Sequence, residues 1–432
     1  MKLALSTTHG KIIAISAISA ALLVLVGSLA YHNATPKPKR VTEPLSIAYG
    51  VDDPAFLRDL EVHMSAPIVG NNHIELFQNG EEIQPAQLDA MREARHHIHI
   101  ETFQFVDGDL TREILDILTG KLEDGVEVRL ILDFAGSALA DFAALSDLAD
   151  AGATVVRWRK PSWYQLGRLN HRTHRKLLII DGSVGFTGGA NLTDNWLGHP
   201  RDGNYRDNFY RVEGPVVAWL QAAFMDNLVA ATGQPLFGDD YFPVLEDADG
   251  MHAQVVLSSP REGRHRMRKM KLMAFAAARD HIRIGTPYFY PDPGILDALV
   301  DARERGVDVD IITPGEPIDK QFVRKASKSH WGGLLEAGIR FNEYDKAMYH
   351  AKLMIVDDYW VSVGSTNIDN RSFRINDEAN LNIFDRDFAQ KMIGVFNADL
   401  EHTTLYDLER WQSRGWITRL RGWLGRVLGP HL

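Results

Sequence analysis

The spacing of apolar and polar residues divides most of the chain into strand-like and helix-like pieces that recur in one order. HIHIETFQF at 97–105 is a short β-rich run, TREILDILTGKLEDG carries the apolar spacing of an amphipathic helix, and VEVRLILD is β-rich again. The same succession returns as HIRIGTPYF at 281–289, ILDALVDARERG and VDVDIITP. Gly125 and Gly306 stand where a helix C-cap glycine would stand. Both passages continue through an alanine-glycine pair, AGATVVRW at 151 and AGIRFNEY at 337, to a run of four apolar residues, LLII or LMIV, that reads as a buried strand. The order β, α, β, helical segment, β, β, met twice, predicts an α/β fold of two pseudo-symmetric halves, each a mixed β-sheet flanked by helices. The expected boundaries are 41–245 for the first half and 246–412 for the second.

The ends follow other patterns. Residues 12–31, IIAISAISAALLVLVGSLAY, are uncharged and apolar for about the length a helix needs to cross a bilayer. Lys2, Lys11 and the Ser28-Leu29-Ala30 triplet also fit a cleaved signal peptide, but the length of the run favours an uncleaved single-pass membrane anchor. TPKPKR closes this 1–40 segment as an extended linker. At 413–432, Trp416, Leu420, Trp423 and Val427 recur at helical spacing among Arg414, Arg419, Arg421 and Arg426. Such a basic amphipathic tail suits an anionic membrane surface or docking on the protein's own core, and Gly422 and Gly425 weaken it as a helix.

Composition narrows the chemistry. The 432 residues are 45% hydrophobic, enough for a sizeable core, and carry a formal net charge of −10, which disfavours nucleic acid as a partner. With no cysteine, disulfides, thiol nucleophiles and thiolate metal sites are excluded.

Each apolar strand lies inside a longer motif. HRKLLIID at 174–181 and HAKLMIVD at 350–357 share His, Lys two places on and Asp five further, and six residues later come Gly188-Gly189-Ala190-Asn191 and Gly364-Ser365-Thr366-Asn367. The full pattern H-x-K-x4-D-x6-G-[GS]-x-N thus appears twice. On a strand, His and Lys two apart share a face. A phosphodiester held between two such pairs would meet two lysine charges and two asparagine amides, the donors that developing charge on its oxygens requires. One His could attack phosphorus and the other could protonate the leaving alcohol. That chemistry needs no metal or other cofactor. His171 lacks clustered partners for a metal site, and His96, His97, His199 and His281 read as structural or surface residues.

This double motif resembles the signature of the phospholipase D superfamily. The resemblance implies two phospholipase D-like halves sharing one active site at their interface. It makes His174 the nucleophile and His350 the acid and base, with Lys176, Lys352, Asn191, Asn367 and Ser365 around the phosphate. Asp181 and Asp357 complete the catalytic motif in a structural role, tying each strand to neighbouring backbone. Glu378, in NDEANL, and Asp207, in YRDNFYRVEG, are the candidates to orient the histidines, with the pairing left open. The stretches FQNGEEIQPAQLDAMREARHHIHIETF, RLNHRTHRKLLIIDG, GGANLTDNW, TPYFYPD and GSTNIDNRSFRINDEANL are similar to the bacterial cardiolipin synthases. That closer resemblance implies a membrane-bound phosphatidyltransferase joining two phosphatidylglycerol molecules into cardiolipin and releasing glycerol. A phospholipase D using water as acceptor shares the same intermediate. A nuclease-like phosphodiesterase and a lipid-binding scaffold with a relic site are the remaining readings.

Overall fold

The structure, a computed structural model, describes residues 10, 15–27, 41, 45–160, 170–245, 250–260 and 265–415. In the first half the strands are β1 (Val69–Gln78), β2 (His97–Thr102), β3 (Glu127–Asp133), β4 (Thr154–Trp158), β5 (Arg172–Thr173), β6 (Leu177–Ile180), β7 (Val184–Gly188) and β8 (Asn208–Glu213). In the second they are β9 (Met251–Ser258), β10 (His281–Gly285), β11 (Phe289–Tyr290), β12 (Asp308–Pro314), β13 (Arg340–Tyr344), β14 (Leu353–Val356), β15 (Trp360–Gly364), β16 (Ile368–Asp369), β17 (Asn376–Phe384) and β18 (Thr403–Tyr406). Outward from β1 the first half runs β1-β8-β7-β6-β2-β3-β4. Outward from β9 the second runs β9-β17-β15-β14-β10-β12-β13, with β18 added at the edge. The two orders are the same. An antiparallel pairing of β1 with β9 fuses them into one continuous mixed sheet. Sequence alternation had not singled out either seam strand.

The uninterrupted apolar strands are explained by their two neighbours. Leu177 and Ile179 face one core, while Leu178 and Ile180 face another; Leu353 and Ile355 part from Met354 and Val356 in the same way. One face of the whole sheet is covered by helices Val217–Thr232 and Arg386–Leu400, whose Leu220, Phe224, Met392 and Phe396 share a single cluster with residues of both halves. On the other face each half keeps its own core, under helices Asn79–Glu93 and Asp109–Glu123 in the first and Arg266–Ala277 and Pro293–Glu304 in the second. Gly125 and Gly306 follow helices at φ +85° and +94°, a left-handed backbone that glycine adopts without a Cβ penalty. Helix Pro54–Met64 precedes β1 in the chain yet buries Phe56, Leu60 and Met64 in the core of the second half. The halves are therefore tied by an N-terminal crossover as well as by the seam.

Of the apolar run expected as an anchor, residues 15–27 are helical and exposed throughout; the rest of 12–31, and the linker after it, lie outside the described residues. Among the described residues no helix is long and apolar enough to cross a membrane. The amphipathic tail lies outside the described residues from 416 onward.

Candidate active site

The two histidines are carried out of their own halves by the segments that precede them. Arg172 and Thr173 of β5 pair in parallel with Asn376 and Asp377 at the start of β17, and the His174 N–H donates to the Asp377 carbonyl at 2.8 Å. The second half does the reverse. Arg206 bridges to Tyr349, and the His350 N–H donates to the Arg206 carbonyl at 2.7 Å. In each case the next residue on the receiving segment is an acid. Glu378 Oε2 lies 3.0 Å from His174 Nδ1, and Asp207 Oδ2 lies 2.8 Å from His350 Nδ1. The pairing is crosswise: each ring is held by the carboxylate of the opposite half. A carboxylate accepting from Nδ1–H fixes the tautomer whose Nε2 carries the free lone pair.

The carboxylates are themselves fixed. Asp207 accepts from the Trp196 indole N–H at 2.9 Å and from the Asn208 N–H at 2.8 Å. Glu378 accepts from the Ser365 hydroxyl and from Asn376 Nδ2 at 3.2 Å. The motif's second glycine position differs between the halves for this reason. In the second half Ser365 supplies a donor to Glu378. In the first, a Cβ on Gly189 would come within 2.2 Å of Asp207 Oδ1, so only glycine leaves the carboxylate its place. Ser365, expected beside the phosphate, donates its hydroxyl to Glu378.

The lysines sit in the short segments that lead from each histidine into its motif strand, outside the strands themselves. Lys176 Nζ donates to the His174 carbonyl and Lys352 Nζ to the His350 carbonyl, both at 2.7 Å. Lys352 Nζ also lies against the His350 ring, 2.9 Å from Nδ1 and 3.2 Å from Nε2. Asn191 is engaged by Gln104, whose N–H donates to Asn191 Oδ1 and whose Oε1 accepts from Nδ2, each at 3.3 Å. Asn367 differs: its Oδ1 is buried without a hydrogen-bond partner among the described residues. Aromatic rings wall the histidines. Phe103 meets His174 edge-on at 5.3 Å between centroids, and Trp196 and Tyr205 flank His350 at 5.0 and 5.9 Å.

Burial and like charge set the protonation states. Burial, then Lys176, Lys352 and His350, hold the His174 imidazole well below its ordinary value. Burial and Lys352 push His350 down to about 4 despite Asp207. Both shifts favour the neutral imidazole. Burial also lowers Lys352 to about 8, against the pull of Asp207, Glu378 and Asp319. Lys176 is lowered by burial and Lys352, and Glu378 is raised by burial against the charge of Lys176. Two crowded ammonium groups and a pair of neutral imidazoles make a site that an anion would stabilise. At about 4 Å and an effective dielectric of about 20, each lysine–phosphate pair is worth about 4 kcal/mol before desolvation.

Asp181 and Asp357 are not brought to this site. Each sits at the far end of its motif strand, about 20 Å of extended chain from the histidine. The Asp181 carboxylate accepts the N–H groups of Arg95, His96 and His97; Asp357 accepts those of Arg279, Asp280 and His281. Both residues adopt a left-handed backbone, at φ +52° and +50°. They register β2 against β6 and β10 against β14. Sequence reasoning missed Trp196, Asn376 and Gln104, because ordinary polar and aromatic residues outside the motif carry no spacing signal.

The two-half architecture has counterparts among known proteins. Residues 88–226 and 272–400 match the family described as cardiolipin synthase, PLD-like domain, once in each half. Over 359 residues the chain is 36% identical to cardiolipin synthase 2 of Bacillus anthracis, covering 82% of this chain and 70% of that one. Over 370 residues it is 34% identical to the cardiolipin synthase of Halalkalibacterium halodurans, covering 85% and 73%. The crystal structure of phosphatidylserine synthase from Haemophilus influenzae superposes with a TM-score of 0.67 over 87% of this chain and all of that one; at 14% identity the likeness is one of fold. Two family matches in one chain, with relatives above 30% identity over most of its length, identify it as a member of the phospholipase D-like cardiolipin synthase family.

Proposed function

We propose that this protein is a phosphatidyltransferase of phospholipid biosynthesis that makes cardiolipin from two molecules of phosphatidylglycerol. The observation that carries the reading is the pair of buried histidines, each held at Nδ1 by a carboxylate from the opposite half, with Lys176 and Lys352 beside them. In the first step His174 Nε2 forms a bond to phosphorus while the bond from phosphorus to the glycerol oxygen breaks. His350, protonated as the phosphodiester anion binds, gives its Nε2 proton to the departing glycerol. In the second, a hydroxyl of another phosphatidylglycerol returns a proton to His350 Nε2 and attacks phosphorus, and the bond to His174 breaks. Lys176, Lys352, Asn191 and Asn367 stabilise the charge gathering on the non-bridging oxygens. Glu378 and Asp207 stabilise the imidazolium forms, and Asp181 and Asp357 act on the fold alone.

The membrane belongs to the same proposal. The uncharged run at 12–31 serves as a single-pass anchor, the halves 41–245 and 246–412 form the catalytic body, and the basic tail 413–432 contacts anionic headgroups. The decisive experiment uses the purified full-length protein in vesicles whose only phospholipid is phosphatidylglycerol, with products read by mass spectrometry. Cardiolipin and an equal amount of glycerol are expected. Phosphatidic acid with glycerol, and no cardiolipin, would replace this reading with hydrolysis by water.

A further inference from the structure

The two halves of the site are built on one plan but finished differently at the mouth. HIHIETFQF and HIRIGTPYF align residue for residue, which pairs Gln104 with Tyr288; the motifs pair Asn191 with Asn367. In the first half Gln104 closes on Asn191 and satisfies both ends of its amide. In the second half that closure is missing. The Tyr288 hydroxyl instead donates to the Asp319 carboxylate, 2.7 Å from each oxygen, and Asn367 Oδ1 is left buried with no partner among the described residues. Asn370 Oδ1, close by in sequence, is buried and unpartnered in the same sense.

Phe289 of β11 pairs in parallel with Ile368 of β16, which sets the preceding residues Tyr288 and Asn367 side by side, with Asp319 bound to the Tyr288 hydroxyl. The Asp319 charge also acts on Lys352 and on Tyr205, whose ring flanks His350. It is exposed, at the end of the loop after β12, and so is open to a ligand. The mouth of the second half is therefore rich in acceptors, and what would satisfy them is a ligand rich in donors. A phosphate has only acceptor oxygens and cannot do so, whereas adjacent hydroxyls on a polyol can, two to a carboxylate. An ammonium headgroup would also pair with a carboxylate. However, the Lys320 ammonium lies 5.2 Å from the Tyr288 ring centroid, and Lys352 is near, which sets two positive charges against a third.

We propose that Asp319, held by Tyr288 and assisted by Asn367, forms a subsite for the vicinal hydroxyls of the polyol that leaves and enters at His350. It thereby selects glycerol-bearing acceptors over monohydric or cationic alcohols. The subsite rests on the phosphatidyl-transfer reading above.

The test measures how one intermediate partitions between acceptors. Full-length protein is given cardiolipin as donor with equal concentrations of isotopically labelled glycerol, ethanol and ethanolamine. The labelled phosphatidylglycerol, phosphatidylethanol and phosphatidylethanolamine are quantified together. Because all three products arise from the same phosphoenzyme, a merely slower or less stable variant leaves their ratio unchanged. Wild-type protein is expected to favour glycerol. Asp319→Ala should shift the glycerol-to-ethanol ratio at least tenfold toward ethanol, and Tyr288→Phe should shift it in the same direction by a smaller factor. A ratio unchanged within twofold in Asp319→Ala overturns the subsite while the transfer reading stands. Wild-type preference for ethanolamine overturns its polyol specificity. Formation of phosphatidic acid alone, with no transfer to any alcohol, overturns the transfer reading and the subsite with it.

Discussion

His174 and Glu378 lie 204 residues apart in the chain, and the Nδ1 of the first is 3.0 Å from the carboxylate of the second. The mirror contact joins His350 to Asp207. Because a ring nitrogen and its carboxylate never come from the same half, neither half holds a correctly oriented histidine alone. Glu378→Gln can turn an amide N–H toward Nδ1 and favour the wrong tautomer. It is expected to lower kcat by about 10²–10⁴ with little change in KM, as such substitutions do elsewhere. In rapid-quench experiments Glu378→Gln and Asp207→Asn should both slow formation of the phosphohistidine, and only the loss in Asp207→Asn should be relieved by a leaving group that needs no proton.

The roles of the two histidines separate when the leaving group needs no proton. With a phosphatidyl ester of p-nitrophenol, His350→Ala should keep the first-turnover burst of nitrophenol within about tenfold of the wild-type rate and then stall as phosphorylated His174, detectable by mass spectrometry. His174→Ala should lose release by at least about 10³-fold. Equal losses in both variants would remove the assignment.

Gly189 has a role that its place in the motif does not disclose. A methyl group there would meet Asp207 Oδ1 at 2.2 Å, too close to stand, so the carboxylate must move from His350. Gly189→Ala is expected to lower kcat by about 10–100-fold while the far-ultraviolet dichroism stays native. Retention of full activity would mean that Asp207 does not orient His350.

Asp181→Ala should act on stability rather than chemistry. The change strips three backbone N–H groups of their acceptor, and hydrogen bonds to a charged group are worth about 1.5–3 kcal/mol each when buried, less at this partly exposed turn. The expected outcome is a Tm lower by a few degrees with kcat retained in the folded fraction. A large loss of kcat at unchanged Tm would return this residue to the reaction.

Activity should fall as pH rises. Lys352 is lowered to about 8 by burial, so its cation is present below that pH and lost above it. His350, lowered to about 4, must take up a proton as the phosphodiester binds, and that uptake becomes harder as pH increases. Both signs agree: kcat/KM on a soluble short-chain substrate should decrease from pH 6 to 9, by up to about one decade per pH unit below pH 8 and up to about two above it. Proton uptake on binding can be read by calorimetry in buffers of different ionisation enthalpy. A kcat/KM that rises across this interval would contradict the protonation states described.

The repeated order of apolar runs was enough to foresee two like halves, because side-chain periodicity is a local property of strand and helix. The doubled motif singled out His174, Lys176, His350 and Lys352 as candidates, because a spacing repeated with the same glycine and asparagine offset is a signal carried by the sequence alone. Local pattern could not supply the seam of β1 with β9 or the crossover that seats Phe56 and Leu60 in the second core, since both are pairings between segments far apart in sequence. Nor could it say which acid holds which histidine. That was decided where β5 leaves its own half to pair with β17, and where Arg206 meets Tyr349. The unequal mouths, with Gln104 closing on Asn191 but Tyr288 turning to Asp319, are likewise a product of packing. The chemistry of a side chain is written in its type, but the partner that directs it comes from the tertiary fold.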